Sequence, residues 1–189
     1  MIRIAVVGDI GSGKSFISNL FNYPVFNADH EVANIYKKDK NCYLKLKKKI
    51  PNQFSSFPIK KEELIKSIMI NKNNLKKISK IVHPIVRKKL NIFLKKNKNK
   101  EIVVLDIPLF LENKLNKKND IIICIDANKN EILRRIKKRK NFNLPLINQF
   151  RSLQYPLSYK KKKSDFIIKN IYKIKDTKKK IKEILKKIR

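Results

Sequence analysis

Apolar residues follow two rhythms along this 189-residue chain: short unbroken runs, and longer stretches where they recur every three or four positions. Residues 2–7 form the first run, too apolar to alternate between a wet and a dry face, and so predict a buried strand. Phe16, Ile17, Leu20 and Phe21 then predict a helix over 14–21. Pro24-Val25-Phe26 reads as a short second strand, and Val32, Ile35 and Tyr36 share one side of a following helix. Between 38 and 100 no strand pattern occurs. Leu44, Leu46 and Ile50 suggest one helix there, and Leu64, Ile65, Ile68 and Met69 another. A longer one runs from Leu75 to Leu90, with Pro84 predicting a kink or break near His83. Strands return at 102–106 and 121–125, helical patterns at 131–140 and 144–154, and a last short strand at 166–168. Ile174, Ile181, Ile184, Leu185 and Ile188 form the seam of a terminal helix whose other faces are lysine. Strands alternating with helices predict one α/β domain with a parallel sheet, interrupted by a helical insertion.

The junction between the first strand and first helix carries the chemistry. Gly8-Asp9-Ile10-Gly11-Ser12-Gly13-Lys14-Ser15 has the spacing of a phosphate-binding loop, in the strand–loop–helix context that the motif requires. Glycines let consecutive N–H groups turn onto a phosphate, and the helix beginning near Lys14 adds its positive end. Lys14 would reach the β- and γ-phosphates and the Ser15 hydroxyl would hold Mg²⁺. The chain has 3 glycines, all within this loop, so its other tight turns are expected to use Asn and Asp.

Charge changes the picture less than its size suggests. Lys+Arg number 48 against 15 Asp+Glu, for a net charge of +33. Lysines are spread along the whole length and mixed with Ile and Asn, as an AT-rich coding sequence produces, rather than gathered on one stretch. The field would still steer anionic substrates inward. The six Tyr and ten Phe do not cluster into the stacking platforms of a nucleic-acid-binding protein. Cys42 and Cys124 stand far apart, and with two histidines no zinc or disulfide framework is expected. No apolar run approaches a membrane span, and a phosphate loop beginning by Gly8 leaves no expectation of a signal peptide.

Further candidates lie at strand ends, where a parallel sheet gathers its ligand groups. Asp29 follows the second strand; it can be an N-cap for a helix beginning near His30, a base for a substrate hydroxyl, or both. Asp106 ends the third strand, where an acid can organise a Mg²⁺ shell. Glu112 and Asn113 follow Pro108-Leu109-Phe110-Leu111 and are either site groups or loop polarity. Arg134, Arg135 and Arg139 either clamp phosphates or form a solvated helix face, and His83 is a kink residue or a substrate contact.

Taken in order, these pieces resemble the dephospho-CoA kinase family along nearly the whole chain. The resemblance rests on the loop from Gly8 to Ser15, Ala28-Asp29, Leu64, His83-Pro84, Ile107 through Asn113, Arg135 and Arg139, Gln154, Ser164-Asp165 and Asn170. It implies a P-loop kinase three-layer sandwich over 1–29, 101–136 and 164–189. A helical CoA-binding subdomain would occupy about 30–100 and a small lid about 137–163. It also implies phosphorylation of the ribose 3′-hydroxyl of dephospho-CoA, with ATP and Mg²⁺ as cofactors.

Carried onto this sequence, the resemblance makes Asp29, Lys14 and Arg139 catalytic. Gly8, Ile10, Gly11, Ser12, Gly13, Lys14, Ser15, Arg135, Arg139 and Asn170 would bind nucleotide, and Ser15 and Asp106 the metal. Asp29, His83, Arg87, Leu109 and Glu112 would bind substrate. The expected setting is cytoplasmic, as a monomer or weak oligomer, with ATP and dephospho-CoA as partners and neither a specific nucleic acid nor a membrane. Departures from the family pattern are Asn27 and Lys61, where Asp and Arg are usual, Phe150 with Arg151 beside it in the lid, and Asp9 at a common glycine position. A GTPase fits poorly: Asn116-Lys117-Lys118-Asn119 stops one residue short of the guanine motif. Another P-loop small-molecule or nucleotide kinase is the nearer alternative, and a basic nucleic-acid-binding NTPase a more distant one.

Overall fold

The computed structural model describes residues 1–138 and 142–189. They divide into two compact units, one formed by 1–27 with 97–189 and the other by 28–96.

The first unit is built on β1 (Ile2–Gly8), every residue of which is buried except half-covered Ile2. It is the middle strand of a parallel sheet in the order β2 (Val25–Asn27), β3 (Ile102–Asp106), β1, β4 (Asp120–Ala127), β5 (Phe166–Asn170). Continuous apolar runs are what a sheet covered on both faces requires. On one face Ile4, Val6, Ile102, Val104, Ile123 and Ile125 pack against Ile17 and Phe21 of α1 (Lys14–Leu20) and Ile181 and Ile184 of α9 (Ile174–Ile188). Burying each such side chain contributes roughly 1.5–3 kcal/mol. Polar ties hold the strand starts. The Arg3 guanidinium pairs with the Asp120 carboxylate at 3.0 Å across the β1–β4 register. Asp165 accepts from Ile122 N–H at 2.7 Å while donating its own N–H to Ile122 O.

After β4 come α6 (Lys129–Lys137), α7 (Leu144–Arg151) and α8 (Leu157–Lys162). α6 stops three residues before the expected end and α7 does the same. α8 has no counterpart in the sequence reading, because Lys160-Lys161-Lys162-Lys163 displays no apolar stripe. Turns use left-handed Asn22 and Asn52, as expected without glycine, but also Lys114 and Tyr172.

The second unit is helical: α2 (Ala28–Lys38), α3 (Lys40–Lys49), α4 (Lys61–Ile70) and α5 (Asn73–Lys96). Its core includes Ile35, Leu46, Leu64, Ile68, Ile78 and Val82. This unit departs from the sequence expectation in two places, a break near His83 that does not occur and a helix start earlier than residue 30. α5 runs through Pro84 without a break, the proline itself being exposed. α2 begins at Ala28, so Asp29 lies in its first turn and is not its N-cap. An acid in that turn still meets the positive end of the helix dipole. Among the described residues no helix is long and apolar enough to cross a membrane.

Candidate active site

The loop after β1 has the geometry of a phosphate cradle. Gly13 caps α1 at φ 93°, with no side-chain cap of its own. A Cβ there would meet the Asn170 amide nitrogen at 2.6 Å, so only glycine fits beside the group that braces the loop. That amide donates to Ser12 O at 2.8 Å, and Asn170 Oδ1 accepts from Tyr172 N–H. Asn170, expected among the nucleotide-binding residues, thus supports the loop from outside. Ile10 packs on Ala127, Ile132 and Ile136, anchoring the loop to α6.

Within the loop, the Lys14 ammonium donates to Gly8 O at 3.1 Å and Asp9 O at 2.8 Å, and only 8% of the residue is exposed. Buried Ser12 Oγ has no hydrogen-bond partner. Ser15 is exposed on the first turn of α1. A folded-back cation, a glycine-lined turn and an unsatisfied buried hydroxyl fit a phosphate-bearing ligand.

Asp106 ends β3, where it lies opposite Val6 of β1 on one side and Asn27 of β2 on the other. It is buried, and the Asn27 amide donates to its carboxylate at 2.7 Å. Among the described residues no three His, Cys, Asp or Glu side chains group around a metal-sized space. A Mg²⁺ ion suits such a sparse set, since it binds through one or two protein oxygens plus waters and phosphates. Ser15 and Asp106 are of the right kind.

The turn after β3 is pinned by buried Phe110 and Leu111 and closed by Asn113 N–H on Leu109 O at 3.0 Å, leaving Leu109 half-buried. Glu112 has partners inside the same unit: it accepts from Tyr155 N–H at 2.8 Å and pairs with the Lys160 ammonium at 3.3 Å. Lys160 is 1% exposed. It also donates to Gln154 Oε1 at 3.2 Å and to Gly8 O at 3.4 Å. The sequence reading missed Lys160, since four consecutive lysines look like a solvated face and no spacing singles one out.

An open cavity of about 630 Å³ lies beside the loop, lined in part by Asn128, Arg134, Arg135, Asn170 and Tyr172. The Arg135 guanidinium stacks over the Tyr172 ring, 3.7 Å from its centre, an arrangement that keeps a planar cation in place. Arg134 instead pairs with Glu131 on its own helix at 2.8 Å. Arg139 lies outside the described residues.

In the helical unit, Asp29 is exposed in the first turn of α2. His83 is half-buried on α5, with exposed Arg87 one turn on. Burial, and then the Arg87 charge, hold the imidazole below its ordinary 6.5. Lys61 opens α4 and is exposed.

Comparison with known proteins agrees with this geometry. The family model described as dephospho-CoA kinase matches residues 2–176. A dephospho-CoA kinase of Wolbachia from Brugia malayi is 35% identical over 170 residues, covering 87% of each chain. The crystal structure of a Thermus thermophilus protein superposes with a TM-score of 0.78 at 25% identity, over 100% of this chain and 98% of that one. A dephospho-CoA kinase from Campylobacter jejuni shares the fold, with a TM-score of 0.64 at 23% identity over 98% and 96% of the two chains. The parallel sheet, the glycine-lined loop and the match over 2–176 place the chain in the dephospho-CoA kinase family.

Proposed function

We propose that this protein carries out the reaction that names its family, moving the γ-phosphoryl group of ATP to the ribose 3′-hydroxyl of dephospho-CoA. The observation that carries the reading is the loop from Gly8 to Ser15 with Lys14 held on its carbonyls, in a chain that the family model matches over 2–176. The loop N–H groups and Lys14 would hold the β- and γ-phosphates, with Arg135 and Arg139 adding charge on the nucleotide side. Ser15 and Asp106 would hold Mg²⁺, which when bound neutralises charge on the β- and γ-oxygens. Asp29 takes the proton of the 3′-hydroxyl as that oxygen bonds to the γ-phosphorus. The bond from the γ-phosphorus to the bridging oxygen breaks, and ADP leaves with the electron pair.

His83 and Arg87 of the helical unit, with Leu109 and Glu112, would bind the acceptor. Residues 137–163 would act as a lid and 30–100 as the CoA-binding part. Both cysteines are buried free thiols pushed up to about 11 by burial first, in keeping with work in a reducing cytoplasm.

The test is a coupled ADP-release assay with dephospho-CoA, adenosine, pantothenate and nucleoside monophosphates side by side. ADP release that depends on dephospho-CoA, with CoA as product, is expected. Preference for another acceptor would assign the chain a different substrate within the same chemistry.

A further inference from the structure

A chain of contacts leads from the phosphate loop into the cavity beside it. Gly13 fits against the Asn170 amide, that amide donates to Ser12 O at 2.8 Å, and Asn170 Oδ1 accepts from Tyr172 N–H at 3.0 Å. The Arg135 guanidinium then lies over the Tyr172 ring, 3.7 Å from its centre. Tyr172 is thus tied to the loop through its backbone and to Arg135 through its ring.

This conformation carries two costs. Tyr172 has φ 61°, in the left-handed region that a bulky side chain rarely adopts, and its hydroxyl is buried with no hydrogen-bond partner among the described residues. Such costs persist where the surroundings impose them, and they gather at ligand sites. The Asn170 bond and the Arg135 stack impose them here.

Most polar side chains lining the cavity are engaged elsewhere. Asn128 caps α6 by accepting from Asn130 N–H at 2.9 Å, Arg134 pairs with Glu131 at 2.8 Å, Asp126 pairs with Lys161 at 2.6 Å, and Asn170 braces the loop. Arg135 differs. It is exposed, and the tyrosine ring covers one face of its guanidinium, which leaves the other face open. A planar cation with a free face stacks well on a second flat π-system. A nucleotide with its phosphates in the loop carries such a system, its base, and the adjoining cavity of about 630 Å³ has room for one.

We propose that Tyr172 is a positioning residue for the nucleotide: it holds Arg135 in register with the phosphate loop, so that the open face of the guanidinium stacks on the nucleobase while the loop holds the phosphates. This rests on the loop taking a nucleoside triphosphate, as proposed above. A stack reads the face of a base and not its edge, so Tyr172 strengthens purine nucleotide binding without choosing between purines.

The test is titration calorimetry of the full-length protein with ATP, GTP and inorganic tripolyphosphate, without acceptor. Tyr172→Asn removes the ring and tolerates the left-handed backbone. It should weaken ATP and GTP binding by the same factor, roughly fivefold, the weight of one cation–π stack. Tripolyphosphate has no base and should bind within about twofold of its parental affinity, because the loop is untouched. Tyr172→Phe keeps the ring and should bind ATP within about twofold of the parent. In an Arg135→Ala background, Tyr172→Asn should change ATP affinity less than about twofold, since the group it positions is gone. Equal losses for ATP and tripolyphosphate would make Tyr172 a support of the loop alone and overturn the proposal. Tighter ATP binding by Tyr172→Asn would overturn it too, by showing that the ring stands where the base belongs. So would a Tyr172→Phe loss as large as that of Tyr172→Asn, or an equal loss in the Arg135→Ala background. If Tyr172→Asn does not fold, Tyr172→Gly, which adopts the same φ without steric cost, takes its place with the same expected results. A parent protein that binds neither ATP nor tripolyphosphate would instead remove the phosphate-loop reading beneath.

Discussion

The Asn27 amide donates to the Asp106 carboxylate at 2.7 Å, joining the last residues of β2 and β3 directly across their register. Asn27 is one of the departures from the family pattern, and here it serves as a donor to Asp106. An aspartate at 27, usual in the family, would set a second carboxylate against a buried one instead of a donor. Asn27→Asp should therefore lower stability by about 1–3 kcal/mol at neutral pH without Mg²⁺. The loss should shrink towards acid pH, where one of the two carboxyls takes up a proton. Urea unfolding at two pH values checks this. Equal midpoints for variant and parent at neutral pH would mean that the amide donates nothing that matters.

Lys14→Ala should abolish turnover while leaving the fold. Its ammonium bonds loop carbonyls that keep other donors, Ser12 N–H for Asp9 and Lys160 for Gly8. Loss of a group that stabilises transferring phosphate costs roughly 10²–10³ or more in rate. The checks are steady-state kinetics beside a thermal melt, and a variant with most of its turnover would take Lys14 out of the reaction.

His83 sets a pH dependence of stability. Its folded pKa is lowered, mainly by burial, from an ordinary 6.5. Below 6.5 the unfolded chain takes up a proton that the folded chain refuses, so stability falls with pH from there down to the folded value. The urea midpoint at about pH 5.5 should lie below that at about pH 7.5, and His83→Gln should lessen the difference. An unchanged difference in the variant would show that other groups carry it.

Strands were legible because a doubly covered parallel sheet demands unbroken apolar runs, and 2–7 and 102–106 display them. The loop was legible because the whole glycine content of the chain lies in eight residues. What escaped depends on tertiary position. The ring of Pro84 faces outward on a helix long enough to continue past it, so no break follows. α8 and Lys160 were hidden because burial of one lysine among four comes from Glu112 and Gln154, residues distant in sequence or off the helix. Asp29 misses the N-cap position by two residues, since α2 starts on Ala28, the residue before it.

Asp29 is the residue on which the proposed proton transfer depends. In the first turn of α2 an ionised acid contributes little to stability, so Asp29→Asn should fold within about 0.5–1 kcal/mol of the parent. Asparagine cannot take a proton, so turnover with dephospho-CoA should fall roughly 10²- to 10⁴-fold, while ATP binding persists through Lys14 and the loop. The decisive measurement is kcat of parent and Asp29→Asn with ATP and dephospho-CoA, on samples matched by thermal melt. A large fall with intact folding and ATP binding is the expected result; a folded Asp29→Asn protein within about threefold of the parent would contradict the assignment of Asp29 as the base.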